Sequence, residues 1–294
     1  MKVSTPTRIA LRTVALLYLT VLLAVPIVSI VWRTFEPGLG AFWASIRTPA
    51  AISALNLSLL IVAIVVPINV IFGIVTALAL VRGRFPGRRL LSGIVDLPFA
   101  VSPIVVGVSL ILLWGVHGWF GGLENLGIQV IFGLPGMVIA TIFVTLPFVV
   151  REVEPVLHEI GTDQEQAAAT LGASGWQTFF RITLPAIRWG LTYGVVLTVA
   201  RALGEFGAVI MVSSGFPGVS QTLTLLVHSR YIDDHNVHGA YSAATLLMFL
   251  ALITLLLMTV LDRKRPATHD ASADAPLAST DPRPLADATP RSQS

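Results

Sequence analysis

Arg201 and Glu205 are the residues whose types and spacing most invite chemistry. They lie four apart in the run Trp189 to Val212, which carries no other charge. On a helix that spacing puts both on one face. At 1.5 Å per residue they would lie about 18 Å and 24 Å from Trp189, inside an apolar crossing. Charges at such depth are costly and face a bundle interior or a water-filled route. Three arrangements fit: a structural ion pair between helices, a gate or pathway pair, or a bent or shortened span that leaves the pair exposed. Gly204 and Gly207 flank Glu205 and would let a neighbouring backbone come close.

The other reactive residues suggest less. His235 and His238 stand beside Asp233 and Asp234, but their spacing implies no fixed metal geometry, and a solvated polar loop accounts for them. His117, His158, His228 and His269 are dispersed and form no triad. The only lysines are Lys2 and Lys264, so the chain cannot contain G-x-x-x-x-G-K-[ST], whose lysine reaches bound phosphates. There is no cysteine, hence no disulfide or thiolate chemistry. No catalytic, cofactor or metal site is expected here, and any ATP energy must come from another chain.

The elements that must position these residues are membrane spans. Of 294 residues, 54% are hydrophobic and 12% charged. Ordinary soluble domains carry about 25% charged residues; with so few, lipid must cover part of the surface. Six runs approach the roughly 20 apolar residues a crossing needs: Val14 to Trp32, Leu57 to Val81, Leu97 to Trp114, Phe132 to Val150, Trp189 to Val212 and Ala240 to Leu261. The third is the weakest, because Asp96, Pro98 and Pro103 crowd its start. The first exceeds a signal-peptide core and has no small-residue cleavage pattern after it. Asn69 reads as an amide bridging helices, and Pro26, Pro67, Pro135 and Pro147 as kinks or breaks. The overall expectation is an all-α polytopic membrane protein.

Basic residues orient the spans. With a cytoplasmic N-terminus, the inner segments hold Lys2, Arg8, Arg12, Arg82, Arg84, Arg88, Arg89, Arg151, Arg181, Arg188, Arg263, Lys264 and Arg265. The outer loops hold Arg33, Arg47 and Arg230. Both termini are then cytoplasmic, as is the insert at about residues 153–188. The transmembrane domain covers residues 1–265. From residue 266 to 294 the chain is rich in Pro, Ala, Ser and Asp, and cannot bury enough surface to offset its ordering entropy. A disordered cytoplasmic tail is expected. The basic residues are too scattered for nucleic-acid binding.

The insert carries signals for two short helices. Thr162 with Glu165, and Ser174 with Gln177, have capping-box spacing. The first helix is expected from Asp163 to Leu171, with Gly172 in the left-handed position that ends it. The second begins near Gly175 and fades before Pro185, whose ring does not continue a helix interior. Ala167, Ala168 and Leu171 give the first helix a small-residue face; Trp176, Phe179, Phe180 and Ile182 give the second an apolar stripe. From physics alone, the hairpin either packs on its own bundle or docks a partner.

Gln166-Ala167-Ala168, Leu171-Gly172 and Ile182-x-Leu184-Pro185 resemble the EAA loop of ABC importer permeases, with Gln166 where the family usually has Glu and Glu165 just before it. The segment RALGEFGA and residues 223–247 are similar to the sulfate and molybdate branch, most of all to W-type subunits of sulfate/thiosulfate importers. The resemblance covers residues 10–265. It implies the MetI-like permease fold and alternating-access import. It also implies an ATPase-coupling surface at Glu165, Gln166, Ala167, Ala168, Leu171, Gly172, Leu184 and Pro185, and a gate or pathway role for Arg201, Gly204, Glu205 and Gly207. Implied partners are two ATP-binding subunits holding ATP and Mg, a T-type second permease, an external sulfate-binding protein and the bilayer. Arg33, Arg47 and Arg230 remain outer-side candidates for steering an anion. Molybdate or tungstate import, and a non-transporting scaffold, stay open beside sulfate.

Overall fold

The computed structural model describes residues 5–263, so the tail expected from Pro266 onward lies outside the described residues. Among these, every regular element is helical. α1 (Thr5–Leu19) runs through a wider π turn, Thr20–Ala24, into α2 (Val25–Phe35). Then come α3 (Leu39–Ile46), the long α4 (Pro49–Arg82), α5 (Arg88–Ala100) and α6 (Pro103–Trp114). α7 (Leu134–Ile160) leads into the short α8 (Asp163–Thr170) and α9 (Gly175–Thr178). A π turn, Phe179–Thr183, joins α9 to α10 (Leu184–Leu203), followed by α11 (Gly207–Val212) and α12 (Leu223–His228). α13 (Val237–Arg263) closes the described chain.

Among the described residues, five helical stretches are long and apolar enough to cross a membrane: Leu11–Phe35, Pro49–Arg82, Leu134–Ile160, Gly175–Leu203 and Val237–Val260. The expected third crossing is not one straight helix, for α5 and α6 meet at 111°. Its cause is local. Val101 and Ser102 are extended (ψ 134° at each); for Ser102 this is the conformation the following Pro103 ring favours. The expected fifth crossing also differs, ending at Leu203 rather than Val212.

The second helix of the insert does not fade before Pro185. It continues through the Phe179–Thr183 π turn into α10, making one rod from Gly175 to Leu203. In a π turn the carbonyls bond i+5, which relieves the clash between a proline ring and the preceding turn. The same device precedes Pro26, where the π turn Thr20–Ala24 ends just before α2. Pro135 sits in the first turn of α7, where its missing N–H costs nothing. Pro67 and Pro147 lie within continuous helices.

α7 is the hub: 56% of its most apolar window is buried, against 0% for the first crossing. Lipid tails are as apolar as leucine, so contact between these helices rests on close packing and hydrogen bonds rather than the hydrophobic effect. Glycine supplies the closeness. A Cβ on Gly190 would fall 2.6 Å from the Glu152 carbonyl oxygen, and one on Gly194 2.9 Å from Val149 Cα. On α4, a Cβ at Gly73 would meet Val149 Cγ1 at 2.6 Å. Val149 is thus clasped between α4 and α10. The Asn69 amide donates to Thr145 Oγ1 at 2.6 Å, the interhelical bridge its position suggested. Near the other end of α4, Ser58 Oγ accepts the Leu223 N–H at 2.9 Å and caps α12 from a neighbouring helix.

Gly190→Ala should therefore lower the thermal denaturation midpoint in detergent, since overpacking costs about 1–3 kcal/mol. Gly93→Ala is the control: no heavy atom lies within 4 Å of the added Cβ. It should leave the midpoint level or slightly raised.

Candidate functional site

The two helix breaks meet. Gly207, at the start of α11, lies against Pro103 at the start of α6, where an added Cβ would stand 3.0 Å from Pro103 Cβ. Deeper in the pair, a Cβ on Gly107 would fall 2.8 Å from the Ala208 carbonyl oxygen and 2.5 Å from Met211 Cβ. Ser102 and Gly204, on the two breaks, are both exposed. α6 runs for only about 18 Å over its twelve residues, too short to cross a hydrocarbon core of about 30 Å alone, so with α5 it makes a broken span or a re-entrant loop. Lipid cannot satisfy such backbone; it persists only where protein or a water-filled cavity covers it.

The Arg201–Glu205 pair closes this site. The Arg201 guanidinium reaches Glu205 Oε2 at 2.6 Å, with the arginine side chain 33% exposed and the glutamate 1%. The other carboxylate oxygen accepts the Ala208 N–H at 2.8 Å, capping α11. The Glu205 backbone carbonyl accepts from Thr224 Oγ1 at 2.8 Å. Glu205 is therefore held from α10, α11 and α12 together. The expected i,i+4 ion pair is present, but in a shortened helix, and Arg201 keeps an open side.

The insert is organised around Glu165. The predicted Thr162–Glu165 capping box does not form: Thr162 makes no side-chain cap and instead accepts from the Gln166 amide at 2.9 Å. Glu165 has a stronger partner. Its carboxylate accepts from Arg82 Nε at 3.1 Å and from Thr183 Oγ1 at 2.9 Å. Arg82 also donates to the carbonyls of Leu157, at 3.2 Å, and of Gly161. Sequence reasoning counted Arg82 only as an inner basic residue. Its position at the last turn of a span, before Gly83, was the one available hint.

Ser174 and Gln177 do form the predicted capping box. Gly172 has φ +83°, as its place after the first helix required, and a Cβ added there would meet no heavy atom within 4 Å. Conformation rather than space thus fixes that residue. The small-residue face is split: Ala168 packs inward, whereas Ala167 is exposed and Leu171 is 88% exposed. Trp176 stacks on Phe180 with centroids 5.7 Å apart, and both rings are largely exposed. Leu184 and Pro185 lie at the start of α10, so the exposed loop and the Arg201 break are opposite ends of one rod.

The three arginines expected on the outer side differ. Arg230 is not available for steering: it is 6% exposed and donates to Ser45 O at 3.1 Å, Thr48 Oγ1 at 2.8 Å and Gly239 O at 3.0 Å. Burial pulls its pKa below the ordinary arginine value, with Asp234 acting the other way. Arg33 pairs with Glu36 at 3.3 Å in the open, and Arg47 lies over the Trp43 ring at 5.3 Å. His235 Nδ1 lies 3.2 Å from the Asp233 carbonyl, and the described residues contain no group of three or more potential metal ligands.

Residues 69–265 match the family described as binding-protein-dependent transport system inner membrane component. The sulfate transport system permease protein CysW of Synechococcus elongatus is 47% identical over 257 residues, covering 87% of this chain and 90% of that protein. The sulfate transport system permease protein CysT of Escherichia coli K12 is 34% identical over 251 residues, covering 85% and 90%. Among solved structures, a bacterial alginate ABC transporter in complex with alginate pentasaccharide-bound periplasmic protein superposes with a TM-score of 0.71. The identity is 17%, over 88% of this chain and 94% of that one.

Arg201→Ala should lower thermal stability by up to about 3 kcal/mol, because it leaves the Glu205 carboxylate buried without its countercharge. The open side of Arg201 reduces that figure through solvent screening. Adding Glu205→Gln should restore part of the loss. A denaturation midpoint equal to wild type in Arg201→Ala would remove the pair from the structure's supports.

Proposed function

Because the chain belongs to the binding-protein-dependent transport system inner membrane component family, we propose that its paired helix breaks line the route of an anion through the membrane, with sulfate as the cargo. The protein is a membrane-spanning subunit of an ABC importer, a transport component rather than an enzyme. The observation that carries the pathway reading is the exposed irregular backbone at Ser102 and Gly204, which lipid would not tolerate. A second permease chain facing that surface would cover it and leave a wet centre line. The likeness to CysT as well as CysW supports a heterodimer with a T-type partner.

In this reading an external binding protein delivers sulfate or thiosulfate, as the complexed periplasmic protein of the alginate transporter suggests by analogy of fold. Both termini and the insert lie in the cytoplasm, where the basic residues concentrate. Leu171, Ala167 and Gln166 present the exposed face of α8 to an ATP-binding subunit, one per permease chain, and those subunits hold the ATP and Mg. Glu165 does not take part in that contact directly, since Arg82 and Thr183 occupy it. ATP-driven closure moves α8, and the Gly175–Leu203 rod carries the displacement to the Arg201 break.

At the break a passing dianion competes with the Glu205 carboxylate for Arg201. The countercharge keeps the site from binding tightly, and weak binding is what release requires. Gly204 and Gly207 let the chain bend there without side-chain obstruction.

Uptake tests the cargo. In proteoliposomes holding the whole complex, labelled sulfate should enter with ATP, and excess unlabelled sulfate should suppress it while molybdate at the same concentration does so weakly. Saturable molybdate uptake indifferent to sulfate would instead favour a molybdate importer. Binding of ATPase without ATP-dependent movement of either anion would favour a scaffold. For the loop, Gly172→Val should reduce ATPase co-purification and uptake at least several-fold, because a β-branched residue resists positive φ. Gly172→Asn should retain more of both, and equal behaviour of the two variants would refute the backbone argument.

A further inference from the structure

We infer that Arg82 is a positioning residue for energy coupling: its fork clamps α8 to both α4 and α7, so that a displacement of α8 drives those two spans as well as α10. The inference rests on the import reading above and adds to it a second mechanical arm.

The geometry is specific. Arg82 is the last residue of α4. Its Nε and Nη2 face the two Glu165 oxygens at 3.1 and 3.4 Å, a forked arrangement that fixes direction as well as distance. The remaining donors bond the carbonyl of Leu157, in the last turn of α7, and that of Gly161, just after it. The last four carbonyls of a helix have no intrahelical donor to accept from, so by bonding Leu157 the arginine also closes the end of α7. Gly161, with φ +67°, is the turn residue between α7 and α8. Left to itself, that turn would let α8 pivot. Thr183 Oγ1, from the π turn before α10, donates to the same carboxylate at 2.9 Å. One glutamate on α8 is thereby tied to α4 and to the start of the α10 rod, and its arginine to α7.

From Arg82 the linkage runs outward along a single helix. α4 is bonded to α7 through Asn69 and Thr145 and to the α12 backbone through Ser58. The residue after Leu223, Thr224, holds the Glu205 carbonyl at the break. Thus α8 reaches Glu205 by two routes, the α10 rod and the α4 strut. Contiguity alone does not establish coupling, so the test must read coupling itself. A lysine at position 82 would keep the charge but lose the planar fork, and so cannot serve all three elements at once.

The chain has no cysteine, so labels and variants can be placed singly. Two measurements separate the clamp from the transport reading. In the assembled complex, spin labels at Phe72 on α4 and Gln164 on α8 should give a narrow distance distribution in wild type, and a distribution at least twofold broader in Glu165→Gln and Arg82→Lys. Unchanged widths would overturn the clamp. In proteoliposomes containing the ATP-binding subunits and binding protein, Glu165→Gln should assemble normally and hydrolyse ATP within about twofold of wild type. Its sulfate imported per ATP should fall at least fivefold. The Arg82→Lys, Glu165→Gln double variant should be no worse than the poorer single one. A proportional fall in hydrolysis and import, or an unchanged ratio, would overturn the coupling role. Absence of sulfate import by wild type would refute the cargo assignment alone, since the label distances still decide whether the clamp exists.

Discussion

In a bilayer every backbone N–H and C=O must find its partner within protein or trapped water, and the rest of this structure follows from that demand. Where helices run unbroken, the chain meets it without help. Where they break, at Val101–Ser102 and at Gly204–Phe206, it needs neighbours. The Glu205 carboxylate serves the Ala208 N–H, and Thr224 serves the Glu205 carbonyl. What those residues leave exposed at Ser102 and Gly204 calls for a second chain or a wet cavity. The same rule explains why Ser58 reaches across to cap α12 and why Arg82 closes the end of α7.

The breaks become useful because they are mechanically connected. A rod of helix from Gly175 to Leu203 joins the exposed loop to the charged pair, and the π turn before Pro185 is what keeps it whole. A true break at Pro185 would have made the loop a floppy appendage. Glycine contacts with α7 then hold the rod's middle, since association in lipid depends on such closeness. In the proposed import reading, such a rod would pass movement from one end to the other.

Much of this was legible in the chain, and the limits are physical. The ion pair, the left-handed Gly172 and the Ser174–Gln177 box all depend on residues within four positions, so spacing reveals them. The Thr162–Glu165 box failed for the opposite reason. An arginine distant in sequence bound Glu165 more strongly than the local N–H groups could. Arg230 looked like an outer charge because its acceptors, Ser45 at the end of α3 and Thr48 at the start of α4, are remote in sequence. The π turn escaped notice because proline is tolerated or not according to the turn before it, which packing selects. Pro103 did announce a weak span, though not that the two halves would cross at 111°. The Gly190-x-x-x-Gly194 spacing carried a readable signal for close helix packing that the composition-led reading passed over.

The proposed mechanism requires the exposed loop and the charged break to move as one body. Spin labels at Gln177 and Gly204, introduced into the cysteine-free chain and measured in the assembled complex, test it directly. Their separation should stay within about 1 Å between the nucleotide-free and ATP-trapped states, as a continuous helix requires, while the distance from the Gly204 label to a label on the facing permease chain changes by several ångströms. A change of several ångströms between Gln177 and Gly204 within one chain would place a hinge near Pro185 and contradict the rod.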